Sequence, residues 1–333
     1  MSRISTRGMR VLLAIGLSLA VAVGAGCGSS NNNSSTSGGG GGSAKGKKLT
    51  LIAGVKGDEF YITMNCGAQA EAKKLGASLN FQGPDQFDAS LQTPIVNAVA
   101  AKKPDAILIA PTDTKAMYAP IKQAESNGSK IVLVDTTLDN PSLAVSQIAS
   151  DNLAGGKTAA ATLAKLIGGK GKVFVNNVKP GISTTDLRAK GFQEGAKSAG
   201  LTYIGQQYNQ DDPAKSASIT KAIIARNPDL KGIFATNLFG AEGAASALKE
   251  AGLLGKVKIV GFDAGPKQVQ DLKAGLVQAL IAQKPADIGA QGVQQAVAAL
   301  TGKATKKKIA TGSVSITKSN LSQNQGNLYK ASC

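Results

Sequence analysis

Histidine is absent from all 333 residues. That absence removes histidine acid–base catalysis, Ser-His-Asp triads and histidine-ligated zinc together. Tryptophan is absent as well, and aromatic residues make up only 4% of the chain. Arginine is scarce. The chain carries 38 Lys and Arg against 21 Asp and Glu, a net charge of +17 that first suggests nucleic acid or anionic lipid. Yet only Arg3, Arg7, Arg10, Arg188 and Arg226 are arginine, whereas readers of bases and phosphates favour the guanidinium fork. No nucleic-acid partner is expected. Also missing are a Gly-x-Ser-x-Gly elbow and a Gly-x-Gly-x-x-Gly following a strand, so a hydrolase would have to rely on paired carboxylates or a Lys-activated Ser. What is present is 42% hydrophobic residues and 40 Gly in a length that predicts about two domains. A disordered tail protein is excluded by that composition.

The N-terminus speaks to compartment. Arg3, Arg7 and Arg10 precede an uncharged apolar run at 11–23, which fits a signal sequence and is shorter than the roughly 20 residues of a spanning helix. It ends in Val23-Gly24-Ala25-Gly26-Cys27, which resembles a bacterial lipoprotein box with Cys27 as the lipidation site, although Gly24 stands where Leu or Val is usual. The other reading is an ordinary secretory signal cut near Ala25. Residues 1–26 are therefore expected to be a signal peptide. Residues 27–47, with Asn31 to Asn33 and five consecutive glycines at 38–42, read as a flexible tether from a lipid anchor on the outer face of the membrane, or as a periplasmic linker.

From residue 48 short apolar runs recur at 49–53, 106–110, 131–134, 173–175, 232–235 and 257–260. They read as strands buried on both faces. Between them lie alanine-rich helical segments at 63–75, 93–103, 114–126, 154–167, 184–199, 214–226, 241–251 and 266–274, with Pro and Gly punctuating their ends. The alternation implies an α/β fold with doubly wound parallel sheets. The series occurs twice: Ile131-Val-Leu-Val-Asp135 parallels Ile259-Val-Gly-Phe-Asp263. Open parallel sheets bind ligands beyond the carboxyl ends of their strands, so two such lobes can present half-sites across a cleft.

Several segments then resemble one family. These are residues 48–61 followed by 67–76, Ile109-Ala-Pro-Thr-Asp113, Ile148-Ala-Ser-Asp-Asn152 with Gly155-Gly156, Arg188 before Gly191-Phe192, Val260-Gly-Phe-Asp263 and Ile281-Ala-Gln-Lys-Pro285. They resemble ribose-type (type I) periplasmic sugar-binding proteins of ABC importers over residues 48–315. The resemblance implies two Rossmann-like lobes joined by a three-segment hinge, with crossings near 150, 283–285 and 311–314. Residues 48–149 plus 284–312 would form the N-terminal lobe, and 150–283 plus 313–333 the C-terminal lobe. It also implies a monomer that closes on its ligand and delivers it to an ABC permease, with no cofactor, no metal and no covalent chemistry.

Carried over residue by residue, the resemblance marks Asp58, Phe60, Tyr61, Asp135, Thr136, Asp186, Asp211, Asn237, Asp263 and Gln283 as ligand-binding. Aromatic faces cover the C–H face of a sugar while carboxylates accept hydroxyl donors. Local chemistry offers other accounts: Phe60 and Tyr61 could cap the first helix, and Asn or Asp is common after strands. Two positions depart from the family. Asp186 stands where sugar-binding members commonly carry Arg, with Arg188 two residues later as a structural helix residue. Asp211 falls where an aromatic is common. Counted this way the cleft holds Asp58, Asp135, Asp186, Asp211 and Asp263 and no Arg, with Lys56 and Lys179 the nearest cations. Converging carboxylates need hydroxyl donors, a cation or a proton. The expected ligand is a neutral sugar, polyol or cyclitol, with an amino-bearing sugar kept open.

Alternatives in other classes are a sensing component that hands its ligand state to a chemoreceptor or kinase, including for an autoinducer-2-type signal, and a hydrolytic lipoprotein. A DNA-binding repressor with the same core would need a helix-turn-helix where residues 1–47 stand. If Cys27 is lipidated, Cys66 and Cys333 form an even pair in an oxidising compartment. Two outcomes are open: a bridge stapling the tail to the first helix, or a buried Cys66 and a free Cys333.

Overall fold

A computed structural model describes residues 44–333. The expected signal sequence, the lipidation site Cys27 and most of the tether lie outside the described residues. Among the described residues no helix is long and apolar enough to cross a membrane.

The first half runs β1 (Lys48–Ile52), α1 (Glu59–Leu75), β2 (Ser78–Gln82), α2 (Ala89–Ala101), β3 (Ala106–Ile109), α3 (Tyr118–Ser126), β4 (Lys130–Val134) and β5 (Ser146–Ser150). The second runs α4 (Asn152–Leu166), β6 (Lys172–Asn177), α5 (Ser183–Ser198), β7 (Thr202–Tyr208), α6 (Pro213–Arg226), β8 (Leu230–Ala235), α7 (Leu238–Glu250), β9 (Lys258–Phe262), α8 (Pro266–Ala274) and β10 (Ala279–Ala282). Then follow α9 (Pro285–Leu300), β11 (Lys308–Thr311), β12 (Val314–Thr317) and a short 3-10 turn, Leu321–Asn327. Two six-stranded sheets result, ordered β11-β5-β4-β3-β1-β2 and β12-β10-β9-β8-β6-β7. Neighbouring strands are parallel except β10 and β12. The chain thus passes from the first sheet to the second after Ser150, returns after Ala282, and passes again between Thr311 and Val314.

The apolar runs form the central strands: β3, for example, is buried at every position. Edge strands β2 and β7 had no such signature. Their sequences, SLNFQ and TYIGQQY, are only partly buried, because an edge strand shows one side to water and tolerates polar residues. Helices α1, α2, α4, α6 and α7 begin on polar side-chain caps. Asp58 caps α1 by accepting from Phe60 N, and Asn237 caps α7 by accepting from Gly240 N.

Helix α4 crosses α5 at backbone contact. A β-carbon on Gly156 would stand 2.1 Å from Arg188 O, and one on Gly191 would stand 2.1 Å from Leu153 O. Only glycine at both positions permits that approach. It fixes how far α5 reaches toward the space between the sheets.

Candidate ligand-binding cleft

Strands β4 and β9 end in the same backbone device. Asp135 and Asp263 have φ of 63° and 79°, a left-handed conformation uncommon for non-glycine residues. Each amide donates to the neighbouring strand, Asp135 N to Ile148 O and Asp263 N to Ile281 O, at 2.8 and 2.9 Å. The turn aims both carboxylates into one cavity between the two sheets. Loops from opposite sides meet over it: Lys179 Nζ donates to Phe87 O at 2.8 Å, and Thr137 N donates to Ser183 Oγ at 3.0 Å. The structure is therefore closed around the cavity.

From the first sheet's side the wall is Asp58, Phe60, Tyr61, Phe87 and Asp135. Phe60 and Tyr61 pack edge to face with centroids 5.1 Å apart. From the second come Asp211, Asn237, Asp263, Arg188, Thr184 and Thr185, with Val178 and Ile182, and Gln283 comes from the hinge. The cavity volume is about 50 Å³. One water needs roughly 10–15 Å³ of it, so the space suits one compact ring.

Eight of the ten expected residues, Asp58, Phe60, Tyr61, Asp135, Asp211, Asn237, Asp263 and Gln283, line this one cavity. Thr136 and Asp186 do not. Thr136 donates its hydroxyl to Pro111 O at 2.7 Å and so braces the loop after β3. Asp186 accepts from Gly181 N at 3.0 Å. The reason is helical geometry: at about 100° per residue, Asp186 lies some 200° around α5 from Arg188.

The count of no arginine in the cleft is corrected by the same geometry. Thr184, Thr185 and Arg188 share the inward face of α5, and Arg188 is 3% exposed. Its Nε donates to Asn152 Oδ1 at 2.8 Å, its Nη1 to Thr236 O at 2.9 Å, and its guanidinium carbon stands 3.9 Å from the Phe262 ring centroid. Neither hydrogen bond goes to a carboxylate, so the charge is held in place by neutral groups and remains available to the cavity. The hydroxyl-bearing positions four and three residues ahead of it were the available sequence signal. Phe87, from the loop after β2, lines the cavity, and Tyr329, from the C-terminal tail, donates to Asp263 Oδ1 at 3.0 Å; neither belongs to a periodic element, so neither carries a sequence signal.

Four carboxylates face one guanidinium here. Burial, opposed by Arg188 and by the Tyr61 hydrogen bond, pushes Asp135 from the usual 3.8 to about 6. Burial and the charge of Asp263 push Asp211 to about 6. Burial also raises Asp263 and, helped by Asp263 and Asp211, raises Asp58 well above its usual value. Tyr61 Oη donates to Asp135 Oδ2 at 2.7 Å, while Asp135 Oδ1 is buried without a partner. Asp263 Oδ1 accepts from Gln283 Nε2 at 2.6 Å, and Ser150 Oγ donates to Gln283 Oε1 at 2.7 Å. Asn237 Nδ2 donates to Asp211 Oδ1 at 2.5 Å. Buried acceptors with unused lone pairs around the cavity call for a ligand rich in hydroxyl donors. Among the described residues no group of three side chains is placed to hold a metal ion.

Cys66 on α1 is bridged to Cys333, with Cα atoms 5.3 Å apart.

Comparison with known proteins agrees in fold. The periplasmic binding protein domain model matches residues 49–304. The ribose import binding protein of Salmonella typhimurium is 33% identical over 263 residues, 78% of this chain and 87% of that one. The D-allose-binding periplasmic protein of Escherichia coli is 31% identical over 244 residues, 71% and 78% of the two chains. Among solved structures, an ABC transporter solute-binding protein from Agrobacterium vitis bound with α-D-tagatopyranose superposes with a TM-score of 0.83. It is 46% identical, covering 85% of this chain and 99% of that one. Another from the same organism, with bound D-fucose, gives 0.80 at 30% identity, covering 85% and 100%.

Proposed function

The chain belongs to the periplasmic binding protein domain family, and from that premise we propose that it captures one small neutral monosaccharide in the cleft and delivers it to an ABC permease. It is a sugar-binding protein of the import type and not an enzyme. The observation that carries the ligand class is the wall of Asp58, Asp135, Asp211 and Asp263 around a single guanidinium, with Asp135 Oδ1 unpartnered. Each carboxylate accepts a hydroxyl, Arg188 donates to a ring or hydroxyl oxygen, and Phe60, Tyr61 and Phe87 cover the apolar face. An acidic solute would add a further carboxylate to a space already crowded with four and is rejected by it.

In the working cycle, residues 48–149 plus 284–312 form one lobe and 150–283 plus 313–333 the other. Hydroxyls bridge carboxylates of both, so ligand binds the closed form better than the open one and shifts the population toward it. The closed form is the one a permease would recognise. Import is favoured over sensing because the named relatives are import proteins. The chain is proposed to act as a monomer, exported and held at the membrane by a lipid on Cys27. Mass spectrometry of membrane fractions reads a diacylglyceryl mass there, and an unmodified N-terminus cut near Ala25 would refute the anchor.

A thermal-shift screen with neutral, amino and acidic sugars tests the ligand class. A ligand at 100 times its Kd adds about 2.7 kcal/mol to the closed native state. Stabilisation by a neutral monosaccharide is expected. Stabilisation by acidic sugars alone would overturn the assignment.

A further inference from the structure

The C-terminal tail leaves β12, which belongs to the second sheet, and ends on α1, which packs beside the first. Three successive contacts mark its path. Tyr329 N donates to Ala264 O at 3.0 Å, Lys330 N donates to Thr63 Oγ1 at 2.7 Å, and Cys333 is bonded to Cys66. Ala264 follows β9 of the second sheet, whereas Thr63 and Cys66 lie on α1. The tail therefore spans from one lobe to the other beside the hinge, as a fourth connection closed by a covalent bond.

Tyr329 is placed at the centre of this span and is 6% exposed. Its hydroxyl accepts from Gln283 N and donates to Asp263 Oδ1, both at 3.0 Å. Its ring packs on Phe60 with centroids 5.9 Å apart. One side chain thus touches the hinge backbone, a cleft carboxylate and the aromatic wall. Burial and the nearby Asp263 charge push its hydroxyl well above the usual range, so it stays a donor. Because Gln283 Nε2 and Tyr329 Oη both donate to Oδ1, the carboxylate is held at that oxygen and presents Oδ2 in a fixed direction.

We propose that Tyr329 is a positioning residue for the ligand-binding carboxylate Asp263, and that the Cys66–Cys333 bridge holds it in place by tying the tail across the hinge. The proposal rests on the sugar-cleft reading for its affinity readout, and on the tail's path alone for its conformational one. Reduction frees the tail end, withdraws Tyr329 from Asp263 and Phe60, and lets the lobes open further. The bridge is kept in an oxidising compartment and lost in a reducing one, so capture of ligand is coupled to where the protein is.

The test uses the mature full chain, the variants Y329F and C66S/C333S, and their triple combination. Calorimetric titration with D-tagatose, D-ribose, D-allose and D-fucose reads affinity, and small-angle scattering of the ligand-free protein reads opening. A hydrogen bond to a charged group is worth at least a factor of ten, so Y329F is expected to weaken the tightest sugar about tenfold. It keeps the ring, so loss in Y329F reports the hydroxyl. The pH below which affinity is lost also moves up in Y329F, because Asp263 loses a donor while Arg188, Asp58, Asp135 and Asp211 around it are unchanged. C66S/C333S, or wild type reduced with dithiothreitol, shows a similar loss and a larger radius of gyration, and adding Y329F to the double variant weakens binding no further. Wild-type affinity and an unchanged radius in both variants would overturn the proposal. Should the wild type bind none of the four sugars, scattering decides alone: expansion on reduction supports the tether while the sugar assignment falls, and no expansion removes the tether.

Discussion

Replacing Asp135 by Asn is expected to move stability and affinity in opposite directions. The native carboxyl has its pKa raised from 3.8 to about 6, net of the attraction of Arg188 and the Tyr61 hydrogen bond. Between about pH 4 and 6 the folded protein therefore holds a proton there that the unfolded chain has already released, and at pH 7 it bears the cost of an ionised, buried carboxylate. For a raised acid the sign follows: the stability contribution is whole below about pH 4 and is lost as pH rises through 6. The difference between the two pKa values corresponds to roughly 3 kcal/mol at pH 7. Asn removes that penalty, keeps an acceptor for Tyr61 Oη, and costs about 1–2 kcal/mol for burying an amide with incomplete partners. A net gain of about 1–2 kcal/mol raises the melting temperature of the ligand-free protein by roughly 2–5 °C at pH 7. Near pH 4, where wild-type Asp135 is protonated too, the gain is gone and only the amide cost of about 1–2 kcal/mol remains. Sugar affinity falls meanwhile by about tenfold or more, because the unpartnered Oδ1 is no longer an ionised acceptor. Thermal melts by circular dichroism between pH 4 and 8, with parallel calorimetry, measure both. A melting temperature lower by several degrees at pH 7 would refute the reasoning, since Asp135 would then be a structural partner of Arg188 and not a group kept strained for ligand.

Sugar affinity itself should decline as pH drops through about 6, where Asp135 and Asp211 take up protons and lose acceptor strength; titrations at pH 6 in buffers of different ionisation heat should show proton release on binding, and a flat pH profile would contradict it. Arg188→Ala should cost about 3 kcal/mol or more of stability and abolish binding, because it leaves Asn152 and the cleft carboxylates uncompensated. Arg188→Lys keeps the charge but loses the fork, and should bind far more weakly than it unfolds; equal losses in melts and affinity would count against a ligand role. Gly191→Ala pushes a β-carbon onto Leu153 O, so it should destabilise by about 1–3 kcal/mol and weaken binding through the displaced α5; unchanged binding would mean Arg188 tolerates that displacement.

How far the sequence reaches can be judged from particular elements. Central strands such as β3 and β8 were legible because burial on both faces leaves an unbroken apolar run. Strands β2 and β7 were not, since edge burial permits NFQ and GQQY. Helix α9 lacked a separate signal, its start being hidden in the Gln-Lys-Pro hinge segment. In the site, residues that end central strands or begin helices were readable, because topology places those ends together. Asp186 and Arg188 were read by alignment of position when the helical wheel decides: two residues apart on α5 means opposite faces. Phe87 and Tyr329 come from a loop and a tail, where side-chain direction depends on tertiary contacts and not on any period.

The central claim is that four carboxylates around one guanidinium, Asp135 and Asp263 buried and Asp58 and Asp211 half-buried, select a neutral ring. Titration calorimetry of the mature chain with the tightest neutral monosaccharide and with its uronic acid counterpart tests it most directly. The account predicts one-to-one binding of the neutral sugar and a loss of at least a hundredfold for the acid, which places a further carboxylate against Asp58, Asp135, Asp211 and Asp263. Equal or tighter binding of the uronic acid would contradict it.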